Sequence, residues 1–483
     1  MVDQAMLSPA LAGTLLLLFS LLWIFLGWWW GRGATEADDY MLAGRNVGLA
    51  LGTATAMATW VTSNTTMVAP QLAYQMGFWG MIGYSLGSIG LLLFAPMAAR
   101  IRMLMPRGYT SGDFIRLRYG VAAWRVFLVI SLVYSAGWLV SLGMAGGLLI
   151  ESLSGIPFPV GITVILAICV AYTLLGGLKA VIGTDFVQTI IIVIGVVALG
   201  VLTLRAIDIP DMHATLRAER PELLNLLMPA ALMFLFNNLL FGVGEIFHSN
   251  VWWSRAFAFR EGVGFKAYLI AGLFWTPIPI AAGFVALAAP SLGLNVPRAD
   301  MVGPLVAAHL LGTSGAVVVF VVIFSALASS LDSLLAATSD LIVEDIYKKH
   351  IRPRASSVQM RKAASTTTLL LGAVTWLVCL LNLTTLASLL HFTGALVAST
   401  IWPIIAGLYW RRTNAAGALW SMVLGSLLGL AAYFTIGFYV AALVGAAVSM
   451  TITLLTTWRW PATFAWDQLS ETPADALSLE KNP

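Results

Sequence analysis

Charge is what this sequence has least of. Only 10% of its 483 residues are Asp, Glu, Lys or Arg, while 59% are hydrophobic; soluble domains carry about 25% charged residues. That excludes a soluble globular fold, and the net charge of +4 over so long a chain gives no nucleic-acid signal. Cysteine is nearly absent. Cys169 and Cys379 both fall within apolar runs, which excludes a disulfide framework and a thiolate metal site. No nucleophile–base pairing or metal-ligand spacing stands out, so nothing points to an enzyme. What is present is long apolar runs and 44 glycines, suited to close helix packing in lipid. The chain reads as an all-α polytopic membrane protein.

The apolar run over about 9–30 is too long for a signal-peptide core and has no basic leader, so it reads as a retained first helix ending on Trp28, Trp29 and Trp30 at an interface. Further runs at about 46–69, 77–99, 123–150, 158–177, 182–204, 230–251, 266–289, 303–343, 364–384, 386–410, 416–436 and 438–458 make about thirteen spans. The run 303–343 is too long for one span and divides into a short outer helix, a turn near Gly312–Gly315 and a second helix. With the N-terminus outside, 22 of the 26 Lys and Arg fall in inside segments, Arg116, Arg118, Arg255 and Lys349 among them; Arg205, Arg217, Arg220 and Arg298 stay outside. The expectation is one transmembrane domain over 1–463 in the cell membrane, with an acidic, disordered cytoplasmic tail over 464–483. The oligomeric state is not legible.

The segment Val322 to Tyr347 carries Ser325, Ser329, Ser330, Asp332 and Ser333 in mid-run. On a helix, 325, 329 and 332/333 share a face. A carboxylate at membrane depth costs about 2.5–3.5 kcal/mol or more. A row of hard oxygens suits a small cation. The alternative has the serines bonding back to their own helix, with Asp332 facing a polar bundle interior.

The run 46–69 ends in Thr59, Thr62, Ser63, Asn64, Thr65 and Thr66, followed by Pro70. This predicts a helix interrupted near Ala58–Thr62, its freed carbonyls facing a cavity; an intact, threonine-lined helix is the alternative. The run 230–251 holds Asn237, Asn238, Gly242, Gly244, Glu245, His248, Ser249 and Asn250. Its Gly-x-Gly before an acid predicts a second break. Two interrupted helices in corresponding positions point to a transporter's midplane site. Glu245 and His248 read as pocket polarity, or Glu245 pairs with a buried histidine such as His391. Asp185, about one turn into the helix opened by Gly176-Gly177, is a second membrane carboxylate. It joins Asp332 and the serines 329, 330 and 333 if those helices pack.

Several segments resemble the sodium:solute symporter family: Asp39-Tyr40-Met41-Leu42-Ala43-Gly44-Arg45; Gly176-Gly177-Leu178-Lys179-Ala180-Val181 with Thr184-Asp185 and Gln188; Arg255-Ala256-Phe257-Ala258; Ser329-Ser330-Leu331 running to Asp345-Ile346-Tyr347; and Phe392-x-Gly394 to Pro403, then Gly407-Leu408-Tyr409-Trp410-Arg411-Arg412 and Gly417. The resemblance implies a LeuT-like 5+5 inverted repeat over about 46–204 and 230–410, with an extra N-terminal helix and two extra C-terminal helices. It implies a sodium site from the carbonyls of Ala58, Val61 and Ala326 and the hydroxyls of Ser329 and Ser330. It implies a second sodium or proton site at Asp185, Ser330, Asp332 and Ser333, where Asp332 departs from the family's usual serine.

Trp60, with Ala43-Gly44-Arg45-Asn46-Val47, Ala73-Tyr74-Gln75-x-Gly77 and Trp252-Trp253-Ser254-Arg255, is similar to the family's urea active-transporter branch, although that branch lacks an acid matching Asp185. The candidate solute contacts are Trp60, Asn64, Thr65, Glu245, His248 and His391. The expected function is sodium-coupled import of a small polar solute, urea or a urea-like amide first. Glu245 keeps an amino acid or polyamine open, with proton coupling as the alternative. A channel or facilitator is the rival of another class. A sensor is disfavoured because only about 25 residues follow the last helix.

Overall fold

Helix α1 (Pro9–Gly31) opens on Ser8, whose Oγ accepts from the Leu11 N–H, with proline at the first helical position. The computed structural model describes residues 6–470 apart from Thr35 and Leu383. Short α2 (Ala37–Leu42) leads to α3 (Leu49–Trp60) and α4 (Ser63–Met76), then α5 (Phe78–Ser85), α6 (Ser88–Leu104) and the long α7 (Ser111–Ser154) and α8 (Phe158–Ala206). After the surface helix α9 (Ile209–Glu219) come α10 (Pro229–His248), α11 (Asn250–Ala258), α12 (Val263–Trp275), α13 (Pro277–Ala286) and α14 (Val302–Ile342). The chain finishes with α15 (Ser357–Cys379), α16 (Leu386–Ala398), α17 (Ile401–Tyr409), α18 (Ala415–Thr435) and α19 (Ala441–Arg459). The described residues are otherwise free of strand, apart from one bridge between Val47 and Phe259.

Among the described residues, eleven helices are long and apolar enough to cross a membrane, against the thirteen or so spans expected. The difference has two sources. The run 46–69 is divided between α3 and α4, of 12 and 14 residues, each short of the roughly 20 a span needs. The α8 run of 49 residues passes as one piece through Gly177, at φ 56 and ψ −146, where a side chain would be strained. In α14 the expected turn falls at Gly312, with φ 62 and ψ −157.

Helix α14 packs along α7 and α8, α3 lies against α8 and α12, and α11 meets α14, α6 and α7. The second break lies within the run 230–251 as expected, but past the glycines. Gly242 and Gly244 stay helical; the helix stops at Ser249, extended at φ −68 and ψ 129. The glycines serve close approach instead. A Cβ on Gly242 would meet the Gly87 backbone, and one on Gly244 the backbone of Val397 and Ala398.

Four basic residues assigned to inside segments are not solvent-facing loop charges. Arg116, Arg118, Arg255 and Lys349 are buried. Lys349 sits 2.7 Å from Asp113 and 2.6 Å from Asp345, and Arg118 donates to Gly407 O, Trp410 O and Thr413 Oγ1. A charge at a helix end can turn inward when carboxylates or free carbonyls wait there. The expected tail also begins docked: the Arg118 guanidinium lies 4.3 Å from the Phe464 ring and that of Arg100 5.0 Å from Trp466. Residues 471–483 lie outside the described residues.

Candidate solute and ion site

Helix α3 ends where Val61 leaves helical geometry at ψ 82. Thr62 then caps α4: the Thr65 N–H donates to Thr62 Oγ1 and the Thr62 N–H to Thr65 Oγ1, both at 3.1 Å. Part of the threonine run is thus spent on building the break.

A helix end leaves its last carbonyls without intrahelical donors, and here their partners are side chains. Ala58 O accepts from Ser329 Oγ at 2.9 Å and Thr59 O from Ser330 Oγ at 3.3 Å. Trp60 O accepts from Thr65 Oγ1 at 3.1 Å and Trp275 Nε1 at 2.7 Å. The two serine hydroxyls also lie 3.1 and 2.9 Å from Ala326 O. Val61 is buried at the break itself. Neutral hard oxygens from two helices therefore converge, a donor set suited to an alkali ion rather than to zinc. Among the described residues no group of three or more His, Cys, Asp or Glu is arranged to hold a metal.

Beside this cluster, Asp185 Oδ2 accepts from Thr55 Oγ1 at 2.5 Å and from Arg255 Nη2 at 3.3 Å. Arg255 also donates to Ser333 Oγ at 2.6 Å, Thr55 Oγ1 at 2.9 Å and Val251 O at 3.1 Å. Ser333 Oγ is 2.6 Å from Ser329 O and 3.2 Å from Thr59 Oγ1. Asp332 Oδ1 accepts from the Ser333 N–H at 2.5 Å. Asp332 Oδ2 and Asp185 Oδ1 have no hydrogen-bond partner among the described residues. Asp185, Asp332 and Ser333 do gather, but a guanidinium stands among them. A second cation there would share Asp185 with Arg255, a residue the sequence reading had left in an inside segment.

A cavity of about 20 Å³ adjoins the oxygen cluster, with Thr59, Trp60, Tyr134, Trp138, Glu245, Trp252 and Ser330 among its walls. About 10–15 Å³ accommodates one water, so this enclosure suits a molecule of very few atoms. The Trp60 and Trp138 rings stack at 6.3 Å between centroids and 25° between planes, and Trp252 meets Trp60 edge-on at 5.5 Å. Glu245 Oε1 accepts from Tyr134 Oη at 2.5 Å and Trp252 Nε1 at 3.2 Å. Glu245 Oε2, Trp60 Nε1 and Trp138 Nε1 are buried without a partner among the described residues.

Of the solute candidates from sequence, Trp60 and Glu245 line this cavity and the others do not. Thr65 caps α4. Asn64 Oδ1 accepts from Ser141 Oγ at 3.2 Å. His248 Nε2 lies 2.9 Å from Ser131 Oγ. His391 Nδ1 lies 2.7 Å from Ala387 O and its Nε2 3.0 Å from Asn238 Oδ1, with Phe234, Phe241 and Phe438 around the ring, so it is packed within the bundle and is not the partner of Glu245. Sequence reasoning missed Tyr134, Trp138, Thr55 and the inward role of Arg255. Tyr134 and Trp138 are spaced i, i+4 in an apolar run, a pattern shared with any packed or lipid-facing helix.

The family model of the sodium:solute symporter family matches residues 40–425. The chain belongs to the sodium:solute symporter family. Within it, the chain is 28% identical over 459 residues to "Urea-proton symporter DUR3" of Oryza sativa subsp. japonica, covering 86% of this chain and 64% of that protein. It is 24% identical to "Urea active transporter" of Saccharomyces cerevisiae, covering 82% of this chain and 58% of the relative. It is 26% identical to "Osmoregulated proline transporter OpuE" of Bacillus subtilis, covering 83% and 85%. The chain thus spans less than two thirds of the length of the urea relatives. All three are named as transporters or symporters, not as enzymes. Among solved structures, a Na+-coupled sialic acid symporter in a substrate-bound outward-open state aligns with a TM-score of 0.78 at 18% identity, over 94% of this chain and 99% of that one. The fold is the all-helical, LeuT-like one of such sodium symporters.

Proposed function

We propose that this family member is a sodium-coupled symporter that imports urea or a urea-like small amide. The observation that carries the reading is a shared wall. Thr59 and Ser330 line the small cavity and also belong to the oxygen cluster between α3 and α14. An ion and a solute bound there would touch the same residues, so each would favour the conformation that suits the other. A coupling of about 1–3 kcal/mol suffices for such linkage.

The free hydrogen-bonding groups match urea. Its carbonyl can accept from the indole N–H groups of Trp60 and Trp138, and one of its amides can donate to Glu245 Oε2. Its small planar frame suits a cavity walled by aromatic side chains. The names of the rice and yeast relatives support the same choice of solute.

Sodium binds at the carbonyls of Ala58, Val61 and Ala326 and the hydroxyls of Ser329 and Ser330, clamping the α3–α4 break onto α14. Solute then fills the aromatic enclosure. Release requires α11 and α3 to part from α8 and α14, which breaks the Arg255 contacts to Asp185 and Ser333. The halves about 46–204 and 230–410 act as inverted repeats, and the face bearing Lys349 is cytoplasmic. The rice relative's name makes a proton the rival coupling ion.

The test is uptake into proteoliposomes of urea, proline, a polyamine, a sugar and a monocarboxylate, each with a sodium gradient, a proton gradient or neither. Urea accumulated against its gradient only with sodium is the expected result. Proline uptake beside inert urea would overturn the solute, accumulation on protons alone the ion, and equilibration without accumulation the symporter itself.

A further inference from the structure

No acidic residue occurs between Asp345 and Asp467, yet the fifteen positions 348–362 hold six Lys and Arg. Three of the six are engaged. Lys349 sits between Asp113 and Asp345, Lys348 lies 2.8 Å from Glu344, and the Arg361 guanidinium lies 5.7 Å from the Tyr40 ring centre. Arg352, Arg354 and Lys362 are exposed and pair with no carboxylate among the described residues. Such a cluster leaves a positive potential that draws anions.

Arg352 and Lys362 stand at a cleft of about 440 Å³, within the range of small-ligand pockets. One wall is the π-helical stretch Val343–Ile351 that continues α14, and the other is the start of α15. The Arg352 N–H closes the last π turn on Tyr347 O at 2.8 Å. Ile346 and Ile351, about one such turn apart, both line the cleft, while Lys349 turns away to its acids. The mouth is thus basic and the wall behind it apolar. Farther along α15, Leu370, Val374 and Leu377 repeat at i, i+4, i+7, each more than half exposed. They continue the helix face of Ala363 and Thr366, which line the cleft seven and four positions before Leu370.

We propose that this cleft binds one anionic phospholipid. Its phosphate sits between Arg352 and Lys362, and an acyl chain follows Leu370, Val374 and Leu377 along α15. A basic mouth alone would attract any soluble anion. The apolar stripe that runs on from it suits a molecule with a tail, and basic clefts between spans are where anionic headgroups dock. The lipid bridges two helix ends that are already joined nearby, where Ser339 Oγ of α14 donates to Ala364 O of α15 at 2.8 Å. It thereby braces the helix that carries Ser329 and Ser330. The site does not depend on the central-cavity reading above.

The test is native mass spectrometry of the purified protein in detergent, titrated with dioleoylphosphatidylglycerol or dioleoylphosphatidylcholine. The anionic lipid is expected to bind as a single copy, at least about tenfold tighter than the zwitterionic one. Arg352→Gln with Lys362→Gln should weaken it about 10- to 30-fold. Arg411→Gln with Arg412→Gln, at exposed residues outside the cleft, should change it by less than about twofold. Ala363→Trp fills the cleft at unchanged charge and should abolish the binding. The two cleft variants act by different means, so if one misfolds the other still decides. Inorganic phosphate should not displace the lipid. Equal affinity for the two lipids, equal losses in the two paired charge variants, or full binding in Ala363→Trp would overturn the site. Displacement by inorganic phosphate would make the occupant a soluble anion and overturn the lipid.

Discussion

Arg255 Nη2 stands 3.3 Å from Asp185 Oδ2, and neither side chain reaches solvent. The pair joins α11 to α8, and the further bonds of Arg255 to Thr55 and Ser333 draw in α3 and α14. A buried pair is not in itself evidence of stability, but removing one partner strands the other's charge. Arg255→Ala is therefore expected to destabilise the protein by about 3–5 kcal/mol, read as a large drop in the melting temperature of detergent-solubilised protein. Arg255→Ala with Asp185→Asn should recover much of the loss. A single mutant that melts like the parent would show that the ion pair does not form.

Ser329 and Ser330 supply the α14 hydroxyls that meet carbonyls of the α3 break. Replacing both by alanine removes oxygen donors without adding bulk. The expected outcome is loss of sodium-stimulated uptake with normal insertion and expression. Unchanged sodium dependence in the double mutant would refute the ion assignment.

Trp60→Phe and Trp138→Phe keep an aromatic wall and delete the indole N–H. Losing a hydrogen bond in a dry site costs about 1–3 kcal/mol, which corresponds to an increase in KM of roughly 5- to 150-fold per substitution. Glu245→Leu should do at least as much by stranding the Tyr134 hydroxyl and the Trp252 N–H that now meet Oε1. Concentration series of urea uptake decide it. Near-parental KM in both tryptophan variants would remove them from the site.

Lys349 is wedged between Asp113 and Asp345, and Asp345 also accepts from Trp124 Nε1 at 2.8 Å and Thr110 Oγ1 at 2.6 Å. Lys349→Met would leave two buried acids without their cation. It should cost about 3–5 kcal/mol and lower thermal stability, while the sodium dependence of whatever protein survives stays parental. A shift in sodium affinity without loss of stability would mean the cluster serves transport rather than structure.

The first helix break was legible because threonines crowd the end of its run: β-branched, hydroxylated side chains are poor helix interiors and good caps. The second was legible only as a neighbourhood. Glycines break helices by propensity, yet Gly242 and Gly244 sit where two backbones meet, and packing kept them helical while Ser249 took the extended conformation. The oxygens of Ser329 and Ser330 stood out because hydroxyls and a carboxylate are costly in an apolar run. His391 stood out on the same ground and is held among Ala387, Asn238 and the phenylalanines, away from Glu245.

By itself the sequence determined the solvent of this protein, the family it belongs to and the places where polar groups enter the bilayer, since the cost of burying a charge or an unpaired amide is a local property. Which of those groups meet was decided by tertiary structure alone. Arg255 follows Asp185 by 70 positions and Trp138 follows Trp60 by 78, and no periodicity reaches across such distances; only the packing of α7, α8, α11 and α14 around the broken α3 brings a guanidinium to one carboxylate and a second indole to the first.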